Sequence, residues 1–396
     1  MTAPVPADSV PADSVPADSA IYDSIVIGGG IAGMSIAYEL AESQRVLLVE
    51  RETTLAYHTT GRSAATFLES YGNATVRALT RASRDFFGSP PDIVDAPLVS
   101  PLPLMIVGRD DQSDLVRDRY REVRPRNPAV ELLDGPAAEA QNALLRPGYT
   151  AAALVDHASL EIDVHGLHQA YRRGLRRRGG DIRTSAGIVA ARRERSVWVL
   201  RDAAGTERRT HAVVNAAGAW CDEVAAVMGA HPVGIRPLRR TAFMVSAPTG
   251  MPTPADRLMT LSAGEDFYVR PDGPGYLCSP ADETPSEPCD ARPDELEIAR
   301  AIDALNEATR LAIRSIAHPW AGLRSFTADR TPVVGPDPTL DGLVWFAGQG
   351  GYGIQMAPAL ARAGAALAVG DPLPTDLVDA GLAAESLLPG RSAATG

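Results

Sequence analysis

A glycine turn near the start of the chain constrains the fold more than any other feature. Ile25-Val26-Ile27 runs into Gly28-Gly29-Gly30-Ile31-Ala32-Gly33, a helical run follows, and Val46-Leu47-Leu48-Val49 ends on Glu50. The order is strand, glycine turn, helix, strand, acid. Gly28, Gly30 and Gly33 form a G-x-G-x-x-G. The first glycine permits the tight turn, the second lets backbone approach a pyrophosphate, and the third lets the helix pack close to the strand. The pyrophosphate is expected at the positive end of the helix dipole. Glu50, 22 residues after Gly28, stands where a carboxylate accepts hydrogen bonds from ribose hydroxyls. The pattern predicts a bound dinucleotide.

Composition narrows the partners. The 396 residues suffice for two domains or one large interleaved unit. The net charge of −11 argues against nucleic acid or an anionic membrane. All 38 basic residues are arginine, so neither a Schiff-base lysine nor a P-loop lysine exists. Cys221, Cys278 and Cys289 are scattered, which suggests neither a disulfide framework nor a metal site and fits a reducing cytoplasm. No apolar run approaches the roughly 20 residues of a membrane span, and no signal peptide is expected.

Residues 5–19 repeat Val-Pro-Ala-Asp-Ser three times. This Pro-rich stretch has too little apolar surface to order itself, so residues 1–20 are expected as a disordered tail. Helices are expected at 75–87, 113–127 and 164–179, a long helix or helix pair at 291–316, and strands within 97–108, 181–200, 209–215 and 343–347. The last strand enters Gly348-Gln349-Gly350-Gly351-Tyr352-Gly353. Nucleotide-type elements thus stand at the start, near 185–218 and at the end, with antiparallel β and helices between them. The order predicts an α/β fold: a discontinuous Rossmann-like cofactor domain (21–96, 157–225 and 323–390) with an inserted α+β substrate domain (97–156 and 226–322) built on an antiparallel sheet.

Four further segments carry a resemblance. They are Tyr57-His58-Thr59-Thr60-Gly61-Arg62-Ser63-Ala64-Ala65; Val214-Asn215-Ala216-Ala217-Gly218-Ala219-Trp220; Trp320-Ala321-Gly322-Leu323-Arg324-Ser325-Phe326 with Thr331-Pro332-Val333-Val334-Gly335; and Gln349-Gly350-Gly351-Tyr352-Gly353-Ile354-Gln355. With the glycine turn they resemble, in order, the D-amino-acid oxidase/dehydrogenase superfamily of FAD enzymes, most closely the D-arginine dehydrogenase type. The resemblance implies FAD bound by Gly28, Gly30, Ile31, Ala32, Gly33, Glu50 and Arg51. Thr59, Thr60, Gly61, Arg62, Ser63, Ala64, Ala65 and Thr66 would wrap the pyrophosphate and ring. Ile188, Ala217, Gly218, Gly350, Gly351, Tyr352, Gly353, Ile354 and Gln355 would complete the site. Some relatives attach FAD covalently through a histidine near His58; the Tyr-His-x-Thr-Gly context here is that of the unlinked type.

The resemblance also implies a reaction. A D-amino acid gives a hydride from Cα to flavin N5, and the imine hydrolyses to a 2-oxo acid and ammonia. Arg324 matches the arginine that binds the substrate carboxylate, a role for a planar, permanently charged group. Tyr268 matches a tyrosine on the same carboxylate. Arg240 matches a second pocket arginine, with Arg239 the alternative one register away. Tyr71 matches a pocket tyrosine; for both tyrosines a plain core position is the alternative. Gly351 would offer backbone to the amine, and Gln355 would line the flavin or the pocket.

Two positions depart from the D-arginine pattern. Leu104 stands where those enzymes carry a glutamate facing a cationic side chain, and Thr66 where they carry a histidine. An unpaired guanidinium in an apolar pocket costs several kcal/mol, so neutral, apolar side chains such as those of D-Leu, D-Met or D-Phe are expected. Oxidation of a secondary amine, or of a pathway-specific amino acid, is the alternative. The electron acceptor, oxygen or a quinone-type molecule, is left open. NAD would suit Glu50 too, but the later segments have no role in that scheme.

Overall fold

Short apolar runs between glycines build the first sheet. Ile21–Ile27, Val46–Val49, Glu207–Asn215 and Leu343–Ala347 pair in parallel, in the order 46–49, 21–27, 207–215, 343–347. Their central residues are buried from both faces, as a parallel sheet requires. Asp181–Arg183 extends the sheet beyond 46–49, and the hairpin Ile188–Glu194/Val197–Asp202 pairs antiparallel with the first half of 207–215. Val333–Pro336 completes the eight strands. These positions come from a computed structural model that describes residues 21–248 and 258–391. The repeat at 5–19, expected as a tail, lies outside them.

Helix Ile31–Leu40 makes the crossover between the first two strands. Met34, Ile36, Ala37 and Tyr38 are buried against helices Val164–Arg177 and Ala357–Val369, with the Tyr38 and Tyr171 rings 5.6 Å apart. Each large apolar side chain so buried stabilises by about 1.5–3 kcal/mol. The crossover leaves Gly28 and Glu50 at the same edge, outside the carboxyl ends of the strands, where open α/β sheets bind ligands.

The second sheet has ten strands. Its path runs 349–350, 317–326, 236–246, 275–279, 268–272, 259–262, 104–108, 152–156, 130–134, and Thr284–Pro285 pairs with 236–246. Pairing is antiparallel except between Met259–Ser262 and Leu104–Gly108, which run parallel. One face, with Met105, Val107, Val155, Phe243 and Val269, packs on helix Glu295–Ala308. A small third sheet joins 66–67, 160–162 and 99–101.

Several expected elements are shorter or broken, for local reasons. The 75–87 helix divides into Ala74–Ala82 and Arg84–Gly88 at Ser83, whose hydroxyl donates to Leu79 O at 2.9 Å while its oxygen accepts from Ala359 N at 3.1 Å. The 291–316 helix begins only after Asp294, which caps Leu296 N and Glu297 N, and ends at Thr309. The 97–108 strand is two strands in different sheets, separated at Leu102-Pro103, where proline offers no N–H. The expected boundary between 322 and 323 falls inside strand Ala317–Phe326, and Gln349-Gly350 adds an edge to the second sheet. Glycine-rich 348–353 therefore joins the two sheets rather than belonging to one. No helix among the described residues is long and apolar enough to cross a membrane, and none of their His, Cys, Asp and Glu side chains group as a metal site.

Candidate functional site

The glycine turn is packed so tightly that side chains have no room. Gly28 has φ +116°, and a Cβ there would lie 2.4 Å from Ala216 O. A Cβ on Gly33 would lie 1.9 Å from Gly28 O, so the helix abuts the turn directly. Ile31 N, at the open end of the helix, donates to Thr60 Oγ1 at 2.9 Å. Glu50 accepts from Gly29 N at 2.6 Å and from Glu52 N at 2.8 Å, one bond per carboxylate oxygen, which leaves further lone pairs. Beneath the turn, His168 Nε2 lies 2.9 Å from Gly29 O. Burial, with help from His165 and Arg172, outweighs that carbonyl and holds the imidazole pKa below its ordinary value. The neutral ring donates from Nε2. His168 was visible in the sequence only as one residue of a helical stripe.

One cavity of about 1020 Å³ runs from this turn to the second sheet. That is the upper end of the ~300–1,000 Å³ typical of small-molecule sites, and leaves room for a large cofactor. Every expected site residue lines it except Gly33 and Gly61. Those two act from behind the wall, Gly33 against Gly28 and Gly61 against Ala56 O, 2.3 Å from where its Cβ would stand. FAD fits this lining. The bare-backbone turn suits a pyrophosphate, and Glu50, Arg51, Ile188, Ala217 and Gly218 line the cavity where the adenosine end would lie, with residues 59–60, 62–66 and 350–355 lining the part that the remainder would fill.

Within that lining, some side chains hold protein rather than ligand. Thr59 Oγ1 donates to Leu323 O at 2.8 Å. The Arg62 guanidinium donates to Ala321 O at 2.9 Å, to Ala291 O at 3.0 Å and to Asp290, so it offers the cavity its stem. Arg51 lies over the Trp220 ring at 4.4 Å. Both ends of the Gln355 amide are engaged, by Leu68 N at 3.1 Å and Thr80 Oγ1 at 3.0 Å. His58 Nε2 lies 3.0 Å from Glu52 Oε1.

Strand alternation builds the far end. Leu104 and Ile106, Leu154 and Asp156, Met259 and Leu261, Arg240 and Ala242, Gly322 and Arg324, and Tyr268 face the cavity, while the alternate residues Met105, Val107, Ala153, Val155, Phe243, Phe267 and Val269 enter the core. The same alternation decides between the two adjacent arginines. Arg240 lines the cavity, whereas Arg239 turns to Asp294 at 2.8 Å.

Arg324 Nη1 and Arg240 Nε are buried with no partner among the described residues. A buried donor without an acceptor costs about 1–3 kcal/mol, more when charged, and an anion in the cavity removes that cost. Burial acts to lower the Arg324 pKa, but Tyr71, Tyr268 and Glu283 outweigh it and the value is raised. Arg240 is lowered, by burial and then by the charge of Arg324. Gly351 packs closely on Arg324: a Cβ there would lie 3.1 Å from Arg324 Cζ and the guanidinium would have to shift. Tyr71 meets Tyr352 edge to face at 4.9 Å. Thr66 sits on its short strand at the cavity wall.

Two residues escaped the sequence reading. Glu283 accepts from Arg240 Nη2 at 3.2 Å and from Arg330, and all three line the cavity. A lone acid in a loop carries no periodic signal.

Known proteins share this fold. FAD-dependent oxidoreductase domain-containing protein 1 of Bos taurus is 25% identical over 392 residues, covering 85% of this chain and 79% of its own. The solved glycine oxidase of Geobacillus kaustophilus superposes with a TM-score of 0.76 at 21% identity, covering 89% of this chain and 95% of that one. A variant of NikD, described as an unusual amino acid oxidase essential for nikkomycin biosynthesis, gives 0.77 at 17% identity, covering 93% and 97%. The DAO model of FAD-dependent oxidoreductases matches residues 23–367, a span that takes in both sheets and the cavity they line, and the chain belongs to that family.

Proposed function

We propose that the chain oxidises the Cα–N bond of a D-amino acid with a neutral, apolar side chain, in the manner of the D-arginine dehydrogenase type but with a different side-chain preference. The observation that carries this reading is the pair of buried, unpartnered guanidinium donors on Arg324 and Arg240, facing one cavity with an apolar wall. FAD, when bound, supplies the two-electron acceptor for the substrate Cα–H. Arg324, with Tyr268, Tyr71 and Arg240, holds the carboxylate and so fixes the orientation of Cα. Backbone at Gly351 stands beside Arg324, within reach of the amine next to that carboxylate. Leu104, Ile106, Leu154, Met259 and Leu261 receive the side chain and exclude water. The imine product leaves and hydrolyses to a 2-oxo acid and ammonia. The D configuration rests on the resemblance carried by the four segments.

Glu283 supports the apolar preference. It is a carboxylate in the cavity, but its oxygens already serve Arg240 and Arg330, so it is not available to a cationic side chain. A second reading, a bulkier or N-substituted amino acid of a specialised pathway, is favoured by the continuation of the apolar wall to Leu115 and Val123.

Anaerobic mixing with D-Leu, D-Phe, D-Arg, L-Leu and sarcosine, followed by loss of the flavin's visible absorbance, separates the readings. D-Leu or D-Phe is expected to reduce the flavin roughly 100-fold faster than D-Arg. Equal rates with D-Arg and D-Leu overturn the side-chain preference, and reduction by sarcosine alone moves the assignment to a secondary amine.

A further inference from the structure

Six arginines line the cavity, and three of them, Arg240, Arg324 and Arg330, gather around one carboxylate, that of Glu283. Glu283 Oε1 accepts from Arg240 Nη2 at 3.2 Å and lies 3.5 Å from Arg330 Nη1, while Oε2 accepts from Arg330 Nη2. Arg330 is steadied from the other side by the Phe326 ring, 4.3 Å from its Cζ. On Arg324 and Arg240, Nη1 and Nε respectively are buried without a partner among the described residues. The cavity therefore has an anion place already filled by the protein and a second place open to a ligand.

We propose that Glu283 is a specificity-determining residue: its carboxylate occupies the anion position between Arg240 and Arg330 and so bars substrates that carry a second carboxylate. This rests on the reading of Arg324 and Arg240 as the substrate-carboxylate site and narrows it to monocarboxylates. A dicarboxylate entering with one end on Arg324 brings its other end toward charges that Glu283 already neutralises, and meets like charge there. Burial opposes ionisation of Glu283, but Arg330, with Arg240 and Arg324, more than offsets it, and the carboxyl stays below its ordinary pKa range. The group is thus charged at neutral pH. The same engagement leaves the Glu283 carboxylate unavailable to a cationic side chain.

The test needs no turnover. Butyrate and glutarate lack an amine and cannot reduce the flavin, and their binding to the holoenzyme is read from the flavin absorbance change. Wild type is expected to bind glutarate no more tightly than butyrate. In Glu283→Gln, which keeps the size of the side chain and an acceptor for Arg240, the ratio should move toward glutarate by about tenfold or more. An unchanged ratio in a variant that retains its flavin overturns the proposal. If that variant does not hold flavin, Arg330→Gln replaces it. Removing one cation beside Glu283 should then weaken glutarate several-fold further against butyrate, and an unmoved ratio there overturns the proposal equally. Binding of neither acid by wild type would instead refute the carboxylate site itself.

Discussion

The two ends of the cavity are made differently. At the cofactor end much of the working surface is backbone, held by Thr60 and Glu50 within the lining and by His168 from behind it. At the substrate end the working surface is side chain. Arg324 and Arg240 arrive on separate strands, and some of their donors are left without a protein acceptor. The second end thereby carries an unfavourable desolvation that an anionic ligand relieves. The backbone surface at Gly28 and Gly33 leaves no room for an added atom. A side-chain surface tolerates substitution and changes its specificity.

The largest effect is therefore expected from a single methyl group at the cofactor end. Gly28→Ala places Cβ 2.4 Å from Ala216 O at φ +116°, and strain plus overlap should cost about 3 kcal/mol or more. The expected outcome is protein that has lost its flavin or does not accumulate in soluble form, measured as flavin absorbance per chain. A fully loaded Gly28→Ala protein would break the contrast between the two ends.

Arg324→Met probes the other end and should leave the flavin in place. Losing the buried charged donor is expected to lower kcat/KM by about 10³-fold, or ~4 kcal/mol, with carboxylate binding abolished. A loss below tenfold with the best substrate would show that the open donors of Arg324 do not face it.

That difference also explains what the sequence could and could not reveal. The cofactor end was legible because its constraint is local: three glycines, a strand and an acid within one short stretch dictate the turn. The two-sheet plan was legible from the order of β-rich and helical runs. The roles of individual side chains were not, because they depend on pairing between distant strands. Arg239 and Arg240 are indistinguishable until Arg240 is paired with Gly322 and Arg239 with Leu323, which sends one to the cavity and the other to Asp294. Arg62 and Gln355 look like ligand-facing groups until the carbonyls and amides that engage them are brought in from residues far along the chain. Glu283 becomes meaningful only once two arginines converge on it.

A smaller effect, in pH, sharpens the contrast. The substrate end is built on arginines, which keep their charge throughout the working range. The cofactor end rests on His168, whose pKa burial lowers beneath its unfolded value of about 6.5. Above that pH both states hold the ring neutral and nothing is lost. As pH falls below it, the unfolded chain takes up a proton that the folded chain refuses, so stability declines by at most about 1.4 kcal/mol per pH unit until the folded pKa is reached. Thermal unfolding and flavin release should therefore become easier on acidification. In His168→Gln, where an amide can still donate to Gly29 O but cannot titrate, that part of the slope should vanish. Identical slopes in the two proteins would mean that the turn does not depend on a neutral imidazole beneath it, and that the acid sensitivity of the cofactor end arises from its carboxylates instead.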